Sequence, residues 1–354
     1  VVFYGAVVVI ALSAAAARAD SVNVFQMPDG QTSLAFVPIG DVNNPVDPGA
    51  GRRAGAQPQH MGTYDVTVGQ YCQFLNAVAQ TDTYGLYNSY MSSTNGLYGP
   101  HINITQSGTP GNYSYAVGGS YAQAANCPIY AVTWGDAARF CNWLQNGQPK
   151  TLGEVSGSTE TGAYTLAGAN DNNSLVSVGR NDGASYFLPT LDEWYKAAYY
   201  NVNKTASGYW AYPTQNDSCP CNCPLGTNNA NFYSCGGGNP CTDPVNRLTP
   251  VGFFADSPGP YGTYDQGGNV NQWSETSLDG LTRDAFGGDW DHYCSSMDAL
   301  ATSFGSSSLP MTENSMMGFR VAASASVPEP GSISLLLVYA VSLAAYAWRR
   351  RAAS

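Results

Sequence analysis

The sequence predicts one mixed α and β domain with three main helices, little regular secondary structure and long ordered loops. Two observations carry this. Three amphipathic segments each begin at a threonine and each follow a short extended run. Between them lie long stretches of Gly, Ser, Asn and Tyr without helical periodicity. The chain has 354 residues, and only 11% of them are charged against a typical ~25%. Loops of such length are uncommon inside a compact domain, so the fold has to be one that tolerates them.

The elements follow in order. Residues 1–19 read as a secretory signal peptide: an apolar run from Val1 to Leu12, then small residues ending in Ala17-Arg18-Ala19. With no initiator Met and no basic leader, this segment reads as truncated at its N-terminus. The first helix follows Thr67, with Val68, Tyr71, Cys72, Leu75, Val78 and Ala79 on one face and Gln70 at capping-box spacing. The second follows Thr133, buries Trp134, Ala137, Ala138, Cys141 and Leu144, and stops at Asn146-Gly147. The third follows Thr190, with Leu191, Trp194, Tyr195 and Ala198 apolar and Glu193 completing another box. The extended runs before them are Gly62 to Val66, Ile129 to Val132 and Tyr186 to Leu188. Cys72 and Cys141 read as buried small apolar side chains; a disulfide between them needs close helix packing.

The chain carries a net charge of −11. Phosphate binding needs clustered Lys and Arg, so this balance argues against a nucleic-acid partner. It suits divalent cations, or simply solubility. There are nine cysteines, and Cys219, Cys221, Cys223, Cys235 and Cys241 cluster in a Pro- and Gly-rich stretch. In an exported chain that cluster reads as a disulfide-stapled loop, with a soft-metal site as the alternative.

At the other end, Val327-Pro328-Glu329-Pro330 precedes an apolar stretch from Gly331 to Trp348 and then Arg349-Arg350-Arg351. The stretch is long enough to span a ~30 Å bilayer core as a helix, with the arginines on the cytoplasmic side. Residues 327–354 thus resemble the PEP-CTERM sorting signal. That resemblance implies processing by an exosortase, membrane contact only through the helix at 331–348, and delivery to the cell surface or extracellular matrix.

Residues 20–326 resemble the formylglycine-generating enzyme, or sulfatase-modifying-factor, family. Tyr64-Asp65-Val66-Thr67 with Tyr71-Cys72-Gln73-Phe74-Leu75-Asn76 resembles its first helix motif. Pro128-Ile129-Tyr130-Ala131-Val132-Thr133-Trp134-Gly135-Asp136-Ala137 and Phe187-Leu188-Pro189-Thr190-Leu191-Asp192-Glu193-Trp194 match the next two motifs. Tyr264-Asp265-Gln266-Gly267-Gly268-Asn269-Val270-Asn271-Gln272-Trp273, Gly287-Gly288-Asp289-Trp290 and Gly318-Phe319-Arg320-Val321 match the closing three. The resemblance implies an α+β fold of C-type-lectin-like type.

It also implies where chemistry would sit. Active members use two cysteines between the last two motifs to bind copper(I), a soft ion that prefers sulfur, and oxidise a sulfatase cysteine to formylglycine. Here those positions fall on His292 and Met297, and an arginine usual ahead of the proline, here Pro310, falls on Gly305. Cys294 is the one cysteine nearby, and a lone thiol does not make a bis-thiolate site. No catalytic residue is assigned, and copper is not expected. The family's structural calcium sites map to the side chains of Asn231 and Asp243 with the carbonyls of Phe232 and Val245, and to Asp265, the carbonyls of Gly268 and Val270, and Gln272, which replaces a glutamate. Asp243 and Asp265 could instead simply cap turns. The expectation is an exported binding or structural module for an extracellular polysaccharide or protein. The alternatives are a copper-dependent oxidase that generates formylglycine or performs a related oxidation, and a purely architectural matrix protein.

Overall fold

A computed structural model describes residues 34–324, apart from 53–58, 93–100, 151, 202, 205–207, 234–241, 301–306 and 315. The leader, the C-terminal apolar stretch, Cys235, Cys241 and Gly305 lie outside the described residues. Among those described, no helix is long and apolar enough to cross a membrane.

Each predicted helix forms, and its cap explains where it starts. Helix α1, Val68–Val78, is closed by a reciprocal box in which Gln70 N donates to Thr67 Oγ1 and Thr67 N donates to Gln70 Oε1. Helix α2, Trp134–Gln145, has the same box between Thr133 and Asp136. The glycine after its end, Gly147, takes a φ of 77° that suits a residue without Cβ. A short helix α3, Asn172–Val176, is capped by Asp171. Its five residues are too few to show a period in the sequence. Helix α4, Leu191–Tyr199, repeats the box with Thr190 and Glu193.

The strands are short. β1 (Phe36–Ile39) pairs antiparallel with β2 (Gln59–Gly62), β2 with β9 (Ala322–Ser324), and β9 with β5 (Tyr186–Phe187). The first and last segments of the domain therefore share one sheet. β3 (Asn103–Ser107) and β4 (Ser114–Gly118) form a hairpin. β6 (Asn271–Trp273) lies between β7 (Ala285–Phe286) and β8 (Met317–Gly318), antiparallel to the first and parallel to the second.

Two of the expected extended runs differ: one is shifted and one is not a strand. The strand ahead of α1 is Gln59–Gly62, and the run to Val66 continues by single bonds, Val66 N to Phe319 O and Ile129 N to Val66 O. The run Ile129 to Val132 is not a strand, because Ala131 adopts a φ of 56° and turns the chain into α2. A continuous ladder requires extended dihedrals at every position.

The core joins α1 and α2 through aromatic rings. Phe74 and Phe140 meet edge-on at 5.3 Å, and Phe140 meets Phe319 at the same spacing. Trp143 and Tyr71 complete the cluster. Burying such rings is the main source of stability here. Cys72 and Cys141 are buried, unlinked thiols within this core, as is Cys127. Trp194, Tyr195 and Tyr199 of α4 form a second buried group.

Candidate functional site

The segment from Gly287 to Leu300 occupies the place where the sequence reading put the lost cysteines. Two glycines open it. A Cβ on Gly288 would come within 2.2 Å of Ser296 Oγ, and one on Gly287 within 2.7 Å of Gln266 O. Both have left-handed φ, so the chain folds back on itself as only glycine permits. A short 3-10 turn, Cys294–Met297, closes the segment.

His292 and Met297 face different surroundings. Met297 is fully buried beside Tyr212, Ala230 and Phe232, and its carbonyl accepts the Tyr199 hydroxyl at 2.9 Å. His292 has a side chain 46% exposed. Its Nδ1 lies 2.8 and 2.9 Å from the two oxygens of Asp289, which is itself fully buried. Asp289 also accepts from Asn271 Nδ2 at 2.6 Å and Asp291 N at 2.9 Å. The hydrogen bond to Asp289 raises the His292 pKa above its ordinary 6.5, against a smaller opposing effect of desolvation. Tyr233 N donates to the His292 carbonyl, and the Tyr233 ring meets exposed Tyr293 edge-on at 5.5 Å. Arg247 stacks over Trp290 at 4.8 Å.

The expectation that Cys294 lacks a second sulfur is corrected. Cys294 is disulfide-bonded to Cys219, 75 residues upstream. Sequence spacing could not show this, because connectivity depends on which loops the fold brings together. Each sulfur is already bonded to the other, so neither is a thiolate able to grip copper(I). Of the Cys-rich cluster, Cys221 and Cys223 are linked to one another, so Cys219 leaves the cluster for its partner.

The residues of the first proposed calcium set lie together. Thr242 N donates to Asn231 Oδ1 at 3.1 Å, which brings the strip at 231–232 against the turn at 242–245. Within that turn Asp243 accepts from Val245 N at 3.0 Å, Asn246 N at 2.9 Å and Asn246 Nδ2 at 2.6 Å. These are turn-capping bonds, but the donor set of amide, carboxylate and carbonyl oxygens suits a hard cation completed by water. Among the described residues no group of three or more His, Cys, Asp and Glu side chains is placed to hold a metal, so such a site would rest largely on neutral oxygens.

The second set fits poorly. Gln272 Oε1 accepts from Trp194 Nε1 at 2.7 Å and Arg320 Nε at 2.8 Å, while its Nε2 donates to the Asp265 carbonyl at 2.8 Å. Both lone pairs of that amide oxygen are spent on protein donors. Asp265 accepts from Gly252 N at 2.6 Å, and burial pushes its pKa up to about 6. Gly268 presses against Asn231, with 2.2 Å between a notional Cβ and the Asn231 carbonyl. Val270 is buried in the core. Gln272 instead makes a hydrogen-bonded junction between α4, β6 and Arg320.

Arg320 is the buried hub of this junction. It pairs with Asp65 at 3.0 Å, both side chains fully buried, and donates to the carbonyls of Gly62 and Tyr264 at 2.6 and 2.7 Å. The sequence motifs containing Asp65, Gln272 and Arg320 thus meet in space. Sequence reading missed a second network: Arg180 donates to Glu193 at 2.8 Å and to Glu275 at 2.9 Å, with its guanidinium 3.5 Å from the Phe187 ring centre. No motif contained Arg180, so nothing in its neighbourhood signalled the role.

The fold is a loop-rich α+β domain of C-type-lectin-like type whose closing loop carries His292, Met297 and the Cys219–Cys294 disulfide. The chain belongs to the family described as the sulfatase-modifying factor enzyme 1-like domain, whose model matches residues 23–325. It is similar in structure to CarF, at a TM-score of 0.50 and 20% identity over 82% of this chain and 98% of that one. It is also similar to variable protein 1 of Treponema denticola (TM-score 0.45, 16% identity, 82% of this chain and 94% of that one). PvdO from Pseudomonas aeruginosa has a TM-score of 0.39 at 16% identity, over 82% of this chain and 92% of that one. No curated protein sequence matches the chain.

Proposed function

We propose that this chain is an exported surface or matrix protein whose sulfatase-modifying-factor domain acts as a binding or structural module rather than as an oxidase. The observation that carries this is the state of the closing loop. The two family cysteine positions hold a buried Met297 and an Asp289-bound His292, and the neighbouring Cys294 is joined to Cys219. Exposed Tyr293 and the half-buried Tyr233 and Arg247 suit a polar extracellular polymer or protein. The disulfides support an oxidising compartment, as does the resemblance of residues 327–354 to a sorting signal read by an exosortase. A screen of the full chain against extracellular polysaccharides tests the reading. Saturable binding weakened by Tyr293→Ala supports it, and the absence of binding to any extracellular polymer or protein counts against it.

A structural calcium ion held by Asn231, Asp243 and the carbonyls of Phe232 and Val245 belongs to the same proposal. Calcium would supply fixed positive charge between two loops and no chemistry. Excess calcium should raise the melting temperature of the native chain and leave that of Asp243→Asn unchanged, since a ligand bound only by the folded state stabilises it.

A second reading has one observation in its favour. Reduction of the Cys219–Cys294 bond would place two thiols on adjoining loops, near His292 in the chain. Copper(I) titration of the reduced protein, with a cysteine-peptide conversion assay, separates this reading from the first.

A further inference from the structure

The cysteines among the described residues fall into three physically different groups. Cys72, Cys127 and Cys141 are buried thiols whose ionisation burial opposes, Cys72 being pushed up to about 11. They are poor nucleophiles. Cys219–Cys294 joins segments 75 residues apart and packs against buried Met297. Cross-linking so long a loop restricts the unfolded chain strongly. Cys221–Cys223 is different on both counts: it spans two residues, and both cysteines are exposed. Closing so short a loop removes little unfolded-chain entropy.

Nor is that bond needed to order its loop. Cys221 N donates to Asn228 O at 2.9 Å and Ala230 N donates to Cys221 O at 3.0 Å. Asn228 Nδ2 reaches the carbonyl of Ser218 at 3.1 Å, and buried Asn229 donates to the carbonyls of Leu225 and Gly226 at 3.1 and 2.6 Å. Asn229 N is anchored in turn on Ser257 Oγ at 2.9 Å. Opening the bond would leave this frame intact. Beside it stands Leu225, 87% exposed, an apolar contact for an approaching partner.

We infer that Cys221–Cys223 is a thiol–disulfide exchange site that accepts electrons from an extracellular dithiol, while Cys219–Cys294 is a structural cross-link that does not. In the first step a dithiol's thiolate attacks one sulfur of the pair. A mixed disulfide forms and the other cysteine leaves as a thiolate, which takes up a proton. The dithiol's second thiolate then attacks its own sulfur in the mixed disulfide and releases the first cysteine. Two electrons move: the dithiol becomes a disulfide, and Cys221 and Cys223 become thiols. Exposure and low steric protection favour this exchange.

The test is graded reduction of the oxidised full chain with dithiothreitol, acid quenching, alkylation and peptide mapping. Cys221 and Cys223 should be alkylated at least about tenfold faster than Cys219 and Cys294. The double variant Cys221→Ser/Cys223→Ser should lose this fast phase and keep the native melting temperature, whereas Cys219→Ser should lower it. Three results would overturn the inference. These are opening of Cys219–Cys294 first or at the same rate, a large fall in melting temperature for the double variant, and recovery of Cys221 or Cys223 linked to another cysteine.

Discussion

Asp289 and His292 show how three residues of separation can tune an ionisation. The buried carboxylate favours the imidazolium, so the His292 pKa lies above 6.5. A histidine held more basic when folded stabilises the fold fully below its unfolded pKa. That contribution fades as pH rises through the folded value. Asp289→Asn should therefore lower the His292 pKa in a proton NMR titration and remove this pH-dependent part of stability. An unchanged titration would mean that the contact does not set it. Arg320 is a stronger case, because its pair with Asp65 lies wholly out of water. Arg320→Met keeps much of the volume but strands the buried Asp65 carboxyl, whose pKa burial already raises, and the carbonyls of Gly62 and Tyr264. Chemical denaturation should show a loss of about 3–5 kcal/mol, and a loss under about 1 kcal/mol would remove Arg320 from the role of hub.

At the scale of elements, what could be read in the sequence was what local chemistry writes there. The spacing Thr67 to Gln70 and Thr190 to Glu193 announced both capping boxes, and both are formed. Asp136 after Thr133 makes a third. Thr133→Ala should cost about 1 kcal/mol by removing the acceptor for Asp136 N, measured by denaturation, while Thr133→Ser should recover most of it. Elements that depend on distant partners were less legible. Strand β2 starts earlier than its apolar run because its register is set by β1 and β9, and α3 is too short for periodicity to register. The link from Cys219 to Cys294 has no local signature at all. Nor could the sequence show that Gln272 spends its oxygen on Trp194 and Arg320, since that depends on three segments converging.

Across the whole molecule, the motifs singled out in the sequence build the frame. Asp136 and Glu193 cap their own helices, and Arg320 with Asp65 joins distant segments of the frame. None of them depends on a metal. The closing loop is held in shape by its glycines and the Cys219–Cys294 bond. The proposed binding role would rest on the tyrosine- and asparagine-rich loops that this frame carries. The formal net charge of −11 argues against a polyanionic partner.

The most direct measurement is an assay of the oxidised full chain, supplied with copper and oxygen, for conversion of a sulfatase-type cysteine peptide to formylglycine, alongside copper(I) titration. The account predicts no turnover and no stoichiometric copper bound at the closing loop. Turnover with one equivalent of copper, abolished by His292→Ala or Cys294→Ser, would contradict it.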